Sequence, residues 1–402
     1  MENNKTEQFI REHRTDDVRK LALASHPKEI DLQYALTQIS GWQAAKSKLP
    51  LWADTDGIIY PRHLSMEQCT SQHIAQYKAS LVENLLGPGF RMADFTGGFG
   101  VDCYFISRNA SHAIYNEISS ELSSIVSENY KTLGCGNTEI SCKDASDLLS
   151  TLSDDSLDLI YLDPARRDGA GRKVVSISDC QPDVKALQDN LLRVAKNVMV
   201  KLSPMLDISR ALTELRNVNR ILIIGLEGEC KELVFILERG YTHEPVIEAV
   251  DINADGTPEM AVSSAKSADN ALPLPVADPA QLQPGTYISE PSAPYMKSAL
   301  FRTIAATTGT ALLHPDTHLF WSKEKPESFP GRIFKLEGII PFDKRSLSAL
   351  SKTQANLSVR NFPETAPQLQ QKLKLKDGGS RYLIATTLSN GKRVLLDLSK
   401  ES

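Results

Sequence analysis

Four carboxylates close four strand-like stretches in the first half of this 402-residue chain. They are Asp94 after "FRMA", Glu117 after "HAIYN", Asp144 after "TEISCK" and Asp163 after "LDLIYL". Behind Asp94 runs Phe95-Thr96-Gly97-Gly98-Phe99-Gly100, with Asp102 just beyond. A chain places glycine where it needs positive φ or where another group must approach its backbone. Carboxylates around such a turn attract a cation and repel a phosphate. Asp163 is followed by Pro164, and a carboxylate so placed can align a nucleophile for attack.

The elements that must position these residues alternate between strand and helix. "FRMADF", "HAIYNE", "TEISCKD", "LDLIYLD" and "NVMVKLS" read as strands. "GVDCYFISRNA", "SSELSSIVSENYKTLG", "DVKALQDNLLRVAK" and "ISRALTELRNV" read as helices between them. Repeated strand–helix units predict a parallel sheet covered on both faces, with ligands at the carboxyl ends of its strands. "RILIIGLEGECKELVFILER" predicts two further strands joined by a turn. Before this region, residues 1–86 have helical spacing. One helix is expected in "DLQYALTQISGWQAAKSKL", ended by Pro50. Another is expected in "LSMEQCTSQHIAQYKASLVENLL", with Ser65 as N-cap and Gln68 at the capping-box position. After residue 240 the parallel signals fade. "GRIFKLEGIIPF", "NLSVRNF", "RYLIATTLS" and "KRVLLDLS" predict a small α+β module, with "SNGK" as a hairpin turn.

Two ligand classes bind a glycine turn between a first strand and helix. Gly98-x-Gly100-x-x-Cys103, with Glu117 nineteen residues after Gly98, approximates a dinucleotide fingerprint. A pyrophosphate would meet Asp94 unfavourably, whereas S-adenosylmethionine (SAM) brings an ammonium and a sulfonium. The four acids in register favour SAM.

Composition bounds the remainder. No window of eighteen apolar residues and no secretory signal is present, so a cytoplasmic protein without a membrane partner is expected. Six cysteines lack any C-x-x-C pair. The histidines show no ligand spacing, and no metal is expected. The net charge of −5 is unevenly spread: residues 331–402 hold thirteen basic and six acidic side chains, leaving −12 for the rest. A basic module on an acidic body suits phosphate contact.

With these motifs in view, the chain resembles class I SAM-dependent methyltransferases over about 65–240. It is similar in particular to a bacterial family that carries a C-terminal THUMP-like domain. "LSMEQCTSQHIAQYKA", "DFTGGFGVD", "LDPARRD" and "LSVRNFPETAPQLQQKLKLKDGGSRYLIATT" carry the likeness. It implies a Rossmann-like sheet with an N-terminal helical region and a C-terminal α+β module. The implied domains are 1–86, helical; 87–240, SAM-binding; 241–330, ferredoxin-like; and 331–402, THUMP-like and basic.

For the cofactor, the resemblance implies contacts from Gln68, Ser71, Asp94, Thr96, Gly97, Gly98, Gly100, Asp102, Glu117, Asp144 and Ala145. Glu117 would hold the ribose, Asp144 and Ala145 the adenine. For catalysis it implies Asp163, Pro164 and Arg166, with Lys201 a further substrate-side candidate. Enzymes that methylate base amines resemble one another in a D/N/S-P-P-aromatic tetrapeptide. Here Asp163-Pro164 matches and Ala165-Arg166 does not. The expected activity is methyl transfer to a base nitrogen of tRNA or rRNA. Methylation of a small molecule or protein, and a non-catalytic RNA-binding role, remain alternatives. Target nucleotide and oligomeric state are open.

Overall fold

The computed structural model describes residues 2–166 and 177–401. They form two compact units, Met1–Asn219 with Leu233–His243, and Arg220–Glu232 with Glu244–Ser402.

The chain begins with six helices: α1 (Glu2–His13), α2 (Val18–Leu23), α3 (Leu32–Lys48), α4 (Pro50–Asp54), α5 (His63–Gln68) and α6 (Gln72–Leu86). Asp31 caps α3 by accepting from Tyr34 N at 3.0 Å. Pro50 ends that helix and opens the next, where its missing N–H costs nothing. The single helix expected from Leu64 to Leu86 is two. Arg62 occupies the N-cap of α5 without a side-chain bond, and Ser65 lies inside the helix, so the Ser65–Gln68 capping box does not form. The break at Cys69–Ser71 turns the Thr70 side chain inward, where it is buried among polar partners.

Phe9, Leu21, Ala35 and Ile39 of α1–α3 form a small core of their own, and the later helices share theirs with the next region. Trp52, Tyr60, Met66 and Ala75 are buried in one cluster with Phe99, Tyr104, Phe105, Tyr115 and Tyr130. Asn129 adds a reciprocal amide pair, accepting from Ile59 N and donating to Ile59 O, both at 2.8 Å.

The alternating region gives β1 (Arg91–Asp94), α7 (Val101–Ser107), β2 (His112–Asn116), α8 (Ser120–Thr132), β3 (Thr138–Ser141), α9 (Ala145–Thr151) and β4 (Leu157–Leu162). A short antiparallel pair follows, β5 (Ala165–Arg166) with β6 (Cys180–Gln181). Next come α10 (Val184–Val194), β7 (Ala195–Leu202), α11 (Ile208–Glu214), β8 (Val218–Leu226) and β9 (Glu229–Glu238). β10 (Val246–Ile252), β11 (Val262–Ala265) and α12 (Lys266–Ala271) complete this stretch.

The sheet order is β11-β10-β8-β9-β7-β4-β1-β2-β3. β1 pairs in parallel with both β2 and β4, and β9 runs antiparallel to β7. The connections reverse direction between β1 and β4, which makes the carboxyl ends of these two strands the switch point where such sheets bind ligands.

The second sheet is built from β12 (Tyr287–Pro291), β13 (Ala311–Leu312), β14 (Phe320–Ser322), β15 (Gly331–Pro341), β16 (Asn356–Arg360), β17 (Arg381–Thr387) and β18 (Arg393–Lys400), in the order β13-β14-β12-β15-β18-β17-β16. Helices α13 (Ala293–Ser298), α14 (Phe301–Thr308), α15 (Lys344–Ser348) and α16 (Ala366–Leu373) accompany it. Side-chain alternation gives the sheet two buried faces. Ile384, Leu396 and Leu398 join Ile288 and Phe334, while Leu383, Ala385 and Leu395 join Leu350 and Leu369.

β10 lies parallel to β8 and continues the first sheet, and β12 pairs with β15 across residue 330. "VIEAVDI" alternates too weakly to announce a strand that is buried on both faces. Among the described residues, no helix is long and apolar enough to cross a membrane.

Candidate functional site

Asp94 is the last residue of β1 and is buried, with its Oδ1 accepting from Thr96 N at 3.0 Å. Thr96 returns the link to β4, since its Oγ1 accepts from Asp163 N at 2.6 Å. Together these two bonds tie the ends of β1 and β4 across the switch point. Glu117, just past β2, accepts from Gly98 N at 2.9 Å through one carboxylate oxygen and from Ser119 N at 2.8 Å through the other. Asn116 fixes the neighbouring loop by donating to Phe95 O and Lys143 O and accepting from Lys143 N.

The glycines divide by cause. A Cβ on Gly97 would lie 2.1 Å from the Tyr115 ring, and one on Gly100 would meet Tyr130 Oη at 2.9 Å. Those two positions are cleared for the protein's own tyrosines, whose hydroxyls donate to Gly98 O and Gly100 O, each at 2.6 Å. Gly98 is different. Its φ is +54°, and a Cβ there would meet nothing closer than Thr96 O at 3.9 Å. Gly98 is where bare backbone faces open space.

Burial pushes the Asp94 carboxyl well above the usual range. The Thr96 amide opposes this, while Asp102, Asp163 and Glu117 add like-charge repulsion. Asp94 therefore lies close enough to the other three acids to feel their charge. Asp144 is used otherwise. β3 ends at Ser141, and Asp144 caps α9 through Ser146 N at 2.8 Å, with Ala145 buried as the first residue of that helix. Its place at the end of the strand is thus corrected to a helix cap three residues later.

Asp102 is buried and answered by a lysine. Lys78 Nζ lies 2.8 Å from its Oδ1, while Thr70 Oγ1 and Tyr161 Oη donate to its Oδ2 at 2.7 and 2.9 Å. Burial alone would raise this carboxyl. Lys78 first, then Lys201 and the Thr70 hydroxyl, outweigh burial and hold it below the ordinary value. Lys201, at the end of β7, donates to Asp163 Oδ2 at 2.5 Å and to Thr70 Oγ1 at 3.3 Å. Thr70 thereby joins both acid–lysine pairs.

Sequence reasoning missed Lys78. The signal was available: Ile74, Ala75, Lys78, Leu81 and Val82 are the buried positions of α6, and a lysine in an apolar stripe needs a buried acid. Gln68 ends α5 and is exposed. Ser71 precedes α6, and its Oγ is buried with no hydrogen-bond partner among the described residues. Pro164 is buried behind Asp163. Arg166 lies in β5, but its side chain, and Arg167 entirely, fall outside the described residues. Among the described residues no group of three or more His, Cys, Asp or Glu could hold a metal.

A solved structure from Porphyromonas gingivalis W83, described as a candidate methyltransferase, is 30% identical to this chain. It matches over 98% of this chain and 97% of its own, with a TM-score of 0.83. The chain belongs to this methyltransferase family. The family's C-terminal part is present as well: residues 331–398 match a THUMP domain-like family and 287–330 a ferredoxin-like domain. Residues 81–217 match the family described as conserved hypothetical protein 95.

More distant similarities include a tRNA (m1A58) methyltransferase, TrmI, from Aquifex aeolicus. It is 14% identical over 34% of this chain and 48% of its own, with a TM-score of 0.26. A protein from Pyrococcus horikoshii, PH1948, described as a candidate RNA methyltransferase, is 19% identical over 39% and 72%, with a TM-score of 0.29. Among curated proteins, none matches. Within this methyltransferase fold, the acids at the ends of β1, β2 and β4 lie at the turn in which Gly98, unlike Gly97 and Gly100, has open space at its Cβ position.

Proposed function

We propose that the chain is a SAM-dependent methyltransferase that acts on RNA. The observation that carries the reading is the placement of Asp94 and Glu117, both held by backbone amides, at the glycine turn of Gly98 beside the switch point between β1 and β4. Their charge suits a cationic nucleoside and opposes a pyrophosphate. Gly98 N and the Glu117 carboxylate would face the donor, with Glu117 exchanging its backbone partners for ribose hydroxyls. The unspent Ser71 hydroxyl would supply a further hydrogen bond. When bound, SAM supplies an activated methyl group. The chain's own tasks are to hold the acceptor in line and to receive one proton.

The basic C-terminal module supports RNA as the acceptor. Lys352, Lys372, Lys374 and Lys376 are exposed, and three of them are drawn together by the backbone. Lys352 N donates to Lys374 O, and Lys376 N donates to Thr353 O beside Lys352. Such a cluster suits a phosphate backbone. The cysteines described are all free thiols, in keeping with a cytoplasmic enzyme.

The test is transfer of labelled methyl from SAM to total RNA from cells lacking the gene. Nuclease-sensitive label is expected. Label that resists nuclease and enters protein or small molecules would reject RNA as acceptor.

A further inference from the structure

We infer that the methylated atom is an oxygen, a ribose hydroxyl of RNA, and that Lys201 stabilises the negative charge that gathers on it. This deepens the reading of the site as a SAM-dependent RNA methyltransferase centre and rests on it. Its ground is the environment of Asp163. β4 and β7 run in parallel, with Leu162 opposite Val200, so Asp163 and Lys201 are the next residues along each strand. Lys201 Nζ donates to Asp163 Oδ2 at 2.5 Å, and the lysine side chain is 12% exposed against 39% for the carboxylate. The ammonium therefore sits inside the acceptor end of the site. Thr70 Oγ1, itself hydrogen-bonded to Asp102, holds it from the other side.

An ammonium at that place distinguishes acceptor atoms by charge. A nitrogen that attacks a methyl group becomes more positive, and a neighbouring cation raises its barrier. A hydroxyl oxygen that attacks must shed its proton and turns more negative, and the same cation lowers its barrier. Finally, no aromatic residue follows Asp163-Pro164 to stack on a base, and a ribose needs none.

In the step, the hydroxyl proton passes to the Asp163 carboxylate and on to water. The oxygen forms a bond to the donor's methyl carbon, and the sulfur–carbon bond breaks with its electron pair left on sulfur. A methyl ether and a neutral thioether result.

The experiment uses the full chain, labelled SAM and total RNA from cells lacking the gene, followed by alkaline hydrolysis. A 2′-O-methyl group blocks cleavage of the next phosphodiester, so label is expected in alkali-resistant dinucleotides. Label in methylated bases of released mononucleotides would overturn this inference and leave RNA methylation standing. No label in RNA at all would overturn both. The position of the label is read on the unaltered chain, so the test does not depend on a variant that folds.

Lys201→Met is expected to lower kcat about 10²–10³-fold, with KM for RNA little changed. Lys201→Arg is expected to recover much of that loss. Binding gives a readout without turnover. S-adenosylhomocysteine and its analogue with an amine in place of the methyl (sinefungin) are titrated into both proteins. Removing the lysine cation is expected to favour the amine analogue by roughly fivefold or more relative to S-adenosylhomocysteine. An unchanged ratio would overturn the role given to Lys201.

Discussion

The acids of the site fall into two sets that differ in what answers them. Asp94 and Glu117, on the β1 and β2 side, are met by backbone amides: Thr96 N for one, Gly98 N and Ser119 N for the other. Asp102 and Asp163 are each met by a lysine, Lys78 and Lys201, and Thr70 joins the two pairs. One half of the site therefore holds carboxyl groups met by amides and not by lysines among the described contacts, and it suits a cation. The other is already neutralised and suits an acceptor that changes charge during reaction. On the proposed reading, acids gathered at one edge of a sheet serve opposite ends of a reaction according to what answers them.

The largest effect is expected on the neutralised side. Asp163→Ala removes the proton acceptor and should lower methyl transfer about 10²–10⁴-fold, with SAM affinity within a fewfold of the parent by calorimetry. Equal losses in both would merge the two halves. Lys78→Met should destabilise the fold by about 3–5 kcal/mol, because it leaves the buried Asp102 without its paired cation. Adding Asp102→Asn should restore much of that loss in denaturant melts, and no recovery would show that the pair is not the reason.

The charged side should respond with the opposite sign. The Asp94 carboxyl is raised in the folded state, so its native environment favours the protonated form. That contribution is present below the ordinary carboxyl pKa and is lost as pH rises through the raised one. Asp94→Asn should therefore stabilise the unliganded protein at pH 8, by roughly 2–4 °C in melting temperature. The gain should shrink toward pH 4. A gain that grows on acidification would refute the assignment. The smallest effect is expected far from the chemistry. Lys352→Glu with Lys374→Glu and Lys376→Glu should weaken RNA binding and reduce the slope of log affinity against log salt by about 3. Methyl transfer at saturating RNA should persist.

The division of charge was only half legible in the sequence. The strand ends were readable because apolar runs of four to six residues stop at an acid, and β1, β2 and β4 end at or one residue before Asp94, Glu117 and Asp163. The glycines were readable as a turn, but their reasons were not. Whether a missing Cβ makes room for a ligand or for Tyr115 and Tyr130 is settled only by tertiary packing. Asp144 stood in the same pattern as the other acids and proved to be a cap, since local spacing cannot separate a strand end from the N-cap just after it. The partner of Lys78 was hidden for a different reason. Asp102 and Lys78 are twenty-four residues apart on separate helices, and no periodicity records such a pair. β10 was missed because a strand buried on both faces carries no alternation.

The most direct measurement is calorimetric titration of SAM into the wild-type chain and into a variant with Asp94→Asn and Glu117→Gln. If the amide-answered acids are the seat of the sulfonium nucleoside, the wild type should bind SAM in preference to NAD, and the variant should bind it at least tenfold more weakly. Undiminished SAM affinity in that variant, or binding of NAD in place of SAM, would contradict the account.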